Sequence, residues 1–228
     1  MYKRQEQLLT KGMPGRHTRF KQTDLGEIPE DWEVLPVGQV TESVVPGRTK
    51  PKVFDGTIPW LTVADLQSSI VNHSIAGLNV SEKELADCGG KIVPARTVLM
   101  SCVGRFGIVA VTSTAVTMNQ QLHGFICRPC LDPMFLCLSL RSAEPRMRAD
   151  SGQTTVPYLN KSRCESILIS LPSLQEQVEI AAAFSHWESC LQHEDSVLFN
   201  LKALKSSLSS SLLSGELRVP TDSVPCPV

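Results

Sequence analysis

From Ser173 to Ser214 the chain contains neither proline nor glycine, and Gly215 closes the run. The regular structure that suits such a run is one helix of about 40 residues, roughly 60 Å long at 1.5 Å per residue. Its start is marked by Ser173 and Glu176 at capping-box spacing, where each side chain satisfies a backbone N–H of the first turn. Its end is marked by Gly215, placed as the glycine just beyond a helix terminus. A domain of about 150 residues does not need an arm of that length for its own core.

Read as heptads, the arm places Phe184, Leu191, Leu198, Lys205 and Leu212 on one seam position and Ile180, Trp187, Glu194, Leu201 and Leu208 on the other. Two identical helices paired antiparallel about the point between Phe199 and Asn200 set Leu198 against Leu201, Leu191 against Leu208 and Trp187 against Leu212. The same register sets Glu194 against Lys205, whereas a slip of one heptad buries each charge against leucine. The two polar residues therefore read as a register device. Packing of the stripe on the chain's own domain, with both charges reaching solvent, is the alternative.

The arm also has an echo. Leu8-Leu9-Thr10-Lys11-Gly12 near the start resembles Leu212-Leu213-Ser214-Gly215 at its far end, as expected of one unit of a repeat. Residues 1–24 carry six cations (Lys3, Arg4, Lys11, Arg16, Arg19, Lys21) against Glu6 and Asp24. They are expected to be a basic segment like the end of a preceding repeat helix, favouring a solvated, mobile terminus over a phosphate contact.

Between segment and arm the texture is different. With 42% hydrophobic residues in 228, there is enough for one core and an appended element. Structure proper is expected from Trp32, behind the turn-rich stretch 25–31. Short β-branched runs at 34–40, 58–63, 97–103, 107–112, 122–127 and 167–170 read as strands, and 81–88 and 133–142 as helices. Residues 25–170 are thus expected to be one mixed α+β domain with a curved sheet, 171–215 the helix, and 216–228 a flexible tail. No apolar run approaches the roughly 20 residues of a membrane span, and no signal peptide is evident, so a cytosolic protein is expected. The eight cysteines are too sparse for a disulfide scaffold, and Cys102, Cys127 and Cys137 sit in apolar runs as small hydrophobes.

No catalytic constellation emerges. Cys127-Arg128-Pro129-Cys130, with His123 and Cys137, has some zinc-ligand spacing but lacks a second CxxC, so no metal and no cofactor are expected. Binding residues are easier to find. Gly104-Arg105-Phe106-Gly107 reads as a tight turn between strands that carries Arg105 outward. Arg48-Thr49-Lys50-Pro51-Lys52 joins three cations to a hydroxyl, a set that suits a phosphate backbone. Asn119-Gln120-Gln121 offers amides of the kind that pair with adenine edges, though amides are also ordinary turn residues. Gly152-Gln153-Thr154-Thr155, followed by Tyr158-Leu159-Asn160-Lys161, is a polar connector, with Lys161 a further candidate contact. The net charge of −1 means that any nucleic acid binding must come from such local faces.

Taken in order, these segments resemble the specificity subunit of type I restriction-modification systems. The resemblance rests on Thr23-Asp24-Leu25-Gly26-Glu27-Ile28-Pro29-Glu30-Asp31-Trp32, Ile58-Pro59-Trp60-Leu61, the Gly104 to Gly107 turn, Met118-Asn119-Gln120, Gly152-Gln153-Thr154-Thr155 and Leu171-Pro172-Ser173-Leu174-Gln175-Glu176-Gln177 leading into the helix. It implies a non-catalytic reader of double-stranded DNA. Its helices would dock adenine methyltransferase subunits, with a motor-nuclease subunit added for cleavage. Members usually carry two recognition domains and two antiparallel helices, whereas one domain and one full helix are found here. A homodimer joined through the arm would restore both halves, its seam from Phe184 to Leu212 about 40 Å long against about 34 Å for a turn of B-DNA. Pairing with a different half-subunit, or a coiled-coil module whose head binds protein, are the alternatives.

Overall fold

The computed structural model describes residues 2–47, 49–150 and 157–218. The chain divides into two compact units, Met1–Ala182 and Ala183–Val228. The first is a mixed α/β unit of open sheets, in the order α1 (Tyr2–Lys11), β1 (Phe20–Thr23), β2 (Gly26–Pro29), β3 (Glu33–Pro36), α2 (Val37–Val40), β4 (Thr41–Val44), β5 (Ile58–Leu61), β6 (Ile70–Val71), β7 (Asn79–Val80), α3 (Glu82–Cys88), β8 (Ile92–Val93), β9 (Thr97–Ser101), β10 (Val109–Thr112), β11 (Val116–Met118), β12 (Leu122–Cys127), α4 (Pro133–Ser142), α5 (Glu144–Asp150), α6 (Lys161–Glu165) and β13 (Leu168–Leu171). The long helix α7 spans Leu174–Leu213.

Two sheets face each other over the core. One runs β4-β12-β9-β10-β6 and the other β7-β5-β11-β8. Leu99, Ala110 and Leu122 of the first meet Leu61, Val93, Val116 and Met118 of the second in one buried cluster. Along β9 every residue is buried. Side chains alternate across a strand, so Val98 and Met100 point away from Leu99 and need their own cover; α4 packs on β9 and β10 to provide it. Asp132 starts α4 by accepting the Met134 and Phe135 N–H groups, with Pro133 in the first turn. On the outer face of the second sheet, α3 completes a smaller cluster of Trp60, Val80, Leu85 and Cys88, and Ser81 caps it through the Glu84 N–H.

Three expectations are corrected. The run 34–40 is β3 followed by the one-turn helix α2: Val37 N–H to Ile167 O (2.9 Å) continues the register that pairs β3 with β13, and the chain then turns through Gly38 to Thr41, whose hydroxyl donates to Val37 O (2.9 Å). The basic segment is no solvated tail: α1 buries Leu8 and Leu9, and β1 and β2 form a hairpin. Structure therefore begins well before Trp32.

The third correction concerns the capping box, of which only half forms. Ser173 Oγ accepts the Glu176 N–H, but the Glu176 carboxylate turns away from the helix start. It accepts from Met13 N (3.2 Å), His17 Nε2 (2.9 Å) and Trp32 Nε1 (3.2 Å), and the His17 Nδ1 faces Asp31 at 3.2 Å. Gly12 passes so close that a Cβ there would lie 2.6 Å from Glu176 Oε1. Gln177, fully buried, donates to Cys130 O and Pro172 O and accepts from Asp132 N. Two adjacent side chains thus bolt the helix root to the N-terminal segment and to the turn before α4.

In the second unit the helix carries exposed apolar residues along its distal half: Val197, Leu198, Phe199, Leu201, Leu204, Leu208, Leu212 and Leu213. The stripe is broader than the two-position seam, since Val197 and Leu204 flank it. Phe184 and Trp187 set their rings 5.6 Å apart. Gly215, at φ +76°, follows the helix as expected.

Candidate functional site

Strand register decides which loops share an end of the larger sheet. Val44 pairs with Gly124, Leu122 with Ser101, and Met100 with Val109. The chain leaving β4, the chain entering β12 and the loop from β9 to β10 therefore all emerge at one end. These three loops hold most of the binding residues singled out in the sequence.

The first loop, residues 45–57, presents Thr49 and Lys50 to solvent. Lys50 holds its ammonium 5.6 Å from the Trp60 ring centre, a cation–π contact that steadies an otherwise free chain. Lys52 is exposed as well, and its backbone N–H is bonded to Glu84 on α3. Arg48 lies outside the described residues.

The second loop, residues 119–121, crosses from one sheet to the other. Asn119 N–H bonds to Leu61 O (2.9 Å), while Asn119 Oδ1 accepts the Gln121 N–H (3.1 Å) in a turn asparagine's usual manner. Its amide also donates to Gln121 Oε1 (3.2 Å), and Gln120 donates to Gly47 O (3.2 Å). The amide bonds recorded here serve the loops themselves and tie the second loop to the first. Thr49, Lys50, Asn119, Gln120 and Gln121 line one open cleft of about 570 Å³, floored by Trp60 and Met118. That floor went unread, because nothing local marks Trp60 as the back of a cleft.

The third loop is no tight turn. Seven residues, 102–108, join β9 to β10, with Gly104 and Gly107 at φ +77° and +76°. Phe106 is buried and anchors the loop, while Arg105 is exposed. Cys102 N–H bonds to Gln121 O (2.9 Å), linking third loop to second. On its other side the loop pairs with residues 157–159, through Gly104 N–H to Pro157 O (2.8 Å) and Leu159 N–H to Cys102 O (2.9 Å). Lys161 follows at the start of α6, paired with Glu165 at 3.5 Å. Thr49, Lys50, Asn119, Gln120, Gln121, Arg105 and Lys161 thus lie along hydrogen-bonded neighbouring segments. Residues 152–155 lie outside the described residues.

Cys137 is buried in α4, and burial pushes the Cys127 thiol up to about 12. His123, in β12, is held by burial down to about 4 and contacts Ser43 Oγ at 3.1 Å. Among the described residues no group of three or more His, Cys, Asp or Glu is placed to hold a metal ion. No described helix is long and apolar enough to cross a membrane.

Two curated proteins of Methanocaldococcus jannaschii are similar to the chain. The type I restriction enzyme MjaIX specificity subunit is 28% identical over 183 residues, 78% of this chain and 42% of that protein. The putative MjaX specificity subunit is 26% identical over 223 residues, 95% of this chain and 50% of that protein. The chain thus spans about half the length of the curated relatives it matches. Among solved structures, a chain from a study of complex assembly and conformational transition in a type I restriction-modification system superposes with a TM-score of 0.67 at 19% identity, over 86% of this chain and 47% of that one. The HsdS subunit from Thermoanaerobacter tengcongensis gives 0.60 at 19%, over 87% and 48%. Both share the fold, a mixed domain with a long helix. The family described as the type I restriction modification DNA specificity domain matches residues 29–198, most of the sheets, the three loops and the root of α7, and the chain belongs to that family.

Proposed function

We propose that the chain is a non-catalytic DNA reader, one half of a type I specificity subunit, recognising one half of a bipartite target. The observation that carries this reading is the convergence of three loops at one sheet end, with Lys50 and Arg105 exposed among amide side chains. Arg105 is the base reader of the set, since a guanidinium on a solvent-facing loop presents two parallel donors to guanine. Lys50, Lys52, Lys161 and Arg48, with Thr49, position the duplex through phosphates. Gln120, Asn119 and Gln121 complete the surface, and the Asn119–Gln121 and Gln120–Gly47 bonds give it a fixed shape.

Through α7 two copies pair antiparallel, in the register that sets Glu194 against Lys205, and so present two inverted half-sites. The exposure of Leu198, Leu201, Leu208 and Leu212 supports this, because such a stripe is stable only when covered. Adenine methyltransferase subunits dock on the paired helices, a motor-nuclease subunit joins them, and the assembly works in the cytoplasm.

Binding of the full chain to a library of duplexes tests the reading. Arg105→Ala is expected to lose about 1–3 kcal/mol on the selected sequence and little on others. Uniform loss makes Arg105 a phosphate contact, and absence of duplex binding by the unaltered chain, alone and with a methyltransferase subunit, refutes the reading in favour of a protein-binding head. Light scattering tests the arm: a mass near twice 25.0 kDa is expected, lost in Glu194→Lys and restored by adding Lys205→Glu.

A further inference from the structure

The connector Tyr158-Leu159-Asn160-Lys161 supplies Lys161 to the surface proposed above, and Tyr158 is left without a role. Of the phenylalanine and tyrosine side chains described, Phe20, Tyr158 and Phe199 are exposed. Phe20 lies in β1 with the Lys11 ammonium 4.8 Å from its ring centre, and Phe199 belongs to the stripe of α7. Tyr158, 53% exposed, stands beside the loop that carries Arg105.

An exposed ring is by itself an ordinary surface feature. The backbone beneath this one is held on both sides. Tyr158 pairs with Val103 in an antiparallel bridge, in which Pro157 O accepts the Gly104 N–H (2.8 Å) and Leu159 N–H donates to Cys102 O (2.9 Å). Successive side chains of an extended chain take opposite faces. Cys102 and Leu159 are buried, at 5% and 2%, so Val103 and Tyr158, opposite each other in the bridge, face outward together. Arg105, exposed, follows Val103 after the turn that Gly104 makes at φ +77°.

This placement favours one kind of contact. Phosphates are met by cations and donors on flexible chains, and Lys50 and Lys161 already serve there. A firmly mounted apolar ring beside a base-reading arginine matches instead the apolar group that bases present in the major groove, the 5-methyl of thymine. We infer that Tyr158 is a second base reader, packing its ring on the methyl group of a thymine next to the base pair met by Arg105. This rests on the DNA-reading function proposed above and sharpens it, since the half-site must then contain an A·T pair beside the pair that Arg105 selects.

The test uses the full chain and three duplexes: one with the preferred half-site, the same duplex with every thymine of the half-site replaced by uracil, and a scrambled one. Uracil pairs as thymine does and lacks the methyl group. Burying one such group is worth about fourfold in affinity, so the unaltered chain should bind the uracil duplex about fourfold more weakly. Tyr158→Ala is expected to bind the thymine duplex weaker by roughly fourfold or more and to treat thymine and uracil alike. Its slope of log K against log salt should match that of the unaltered chain, because no charge is lost. Tyr158→Phe, which keeps the ring, should restore the discrimination. An unaltered chain indifferent to uracil overturns the inference, as does a half-site without an A·T pair. Losses from Tyr158→Ala and from uracil that simply multiply overturn it too, since the ring and the methyl group are then uncoupled. A phenylalanine variant as weak as the alanine one on all three duplexes marks a phenol–phosphate contact instead. If the unaltered chain binds none of the duplexes, the underlying DNA reading fails. Where the alanine variant does not fold, Tyr158→Gln is measured in its place: equal binding of thymine and uracil is expected, and retained discrimination overturns the assignment.

Discussion

Replacing Glu176 by alanine should unfasten the root of the long helix. The carboxylate is almost wholly buried and accepts from Met13 N, His17 Nε2 and the indole N–H of Trp32, itself fully buried. Alanine leaves the Trp32 donor without its partner and empties the space beside Gly12. A hydrogen bond to a charged group contributes about 1.5–3 kcal/mol, and an orphaned buried donor costs about 1–3 kcal/mol. Against this, removing the carboxylate also removes the burden of burying a charge. We expect a net loss of about 4 kcal/mol for Glu176→Ala and about half that for Glu176→Gln, which keeps one acceptor oxygen. With a urea dependence of about 2–3 kcal/mol per molar, the midpoint of unfolding should fall by roughly 1.5 M. Equilibrium urea unfolding measures it, and a cycle with Trp32→Phe isolates the coupling between carboxylate and indole. A change under about 1 kcal/mol for the alanine variant would refute the reasoning, leaving Gln177 and the burial of Ile180 to hold the helix root.

Other consequences are as open to measurement. His123 titrates near 6.5 when unfolded, while burial holds it near 4 in the fold. Below 6.5 the unfolded chain therefore binds the extra proton, and stability should fall by about 3 kcal/mol from pH 6.5 to pH 4; His123→Phe should flatten that part of the profile. Burial raises the Cys102 thiol to about 11 and those of Cys127 and Cys164 to about 12. Alkylation of the native protein followed by peptide mapping should thus label Cys130 and Cys190, which are exposed, before those three. Gly107→Ala should destabilise by about 2 kcal/mol, since φ is +76° and the new Cβ would meet Glu144 at 2.8 Å. Gly104→Ala, with the same backbone and open space, should lose only about 1 kcal/mol, and equal losses would mean that Glu144 yields.

Much of the architecture was legible because its signals are local. Ser81 and Asp132 announce α3 and α4, and the absence of proline and glycine after Ser173 marks α7. The central strands β9 and β12 are long enough to be recognised by their β-branched and apolar residues. The two-residue strands β6, β7 and β8 were invisible, since pairings such as Ile70 with Val111 exist only once distant segments meet. Glu176 misled for the same reason: its spacing from Ser173 fits a local cap, yet Trp32 and His17, more than 140 residues away, take the carboxylate. In the candidate site, the residue types were readable and their coupling was not. Nothing in Asn119-Gln120-Gln121 reveals that Gln120 bonds to Gly47.

The bonds that join the loops also set a rule for redesign. Gln120 grips Gly47, and Gln121 accepts from Cys102, whose own carbonyl receives Leu159. A graft that replaced one loop from a relative would sever a bond at each border and tilt its neighbours. Residues 45–52, 102–108, 119–121 and 157–161 are best exchanged as one cassette, on a sheet whose register would remain that of the recipient.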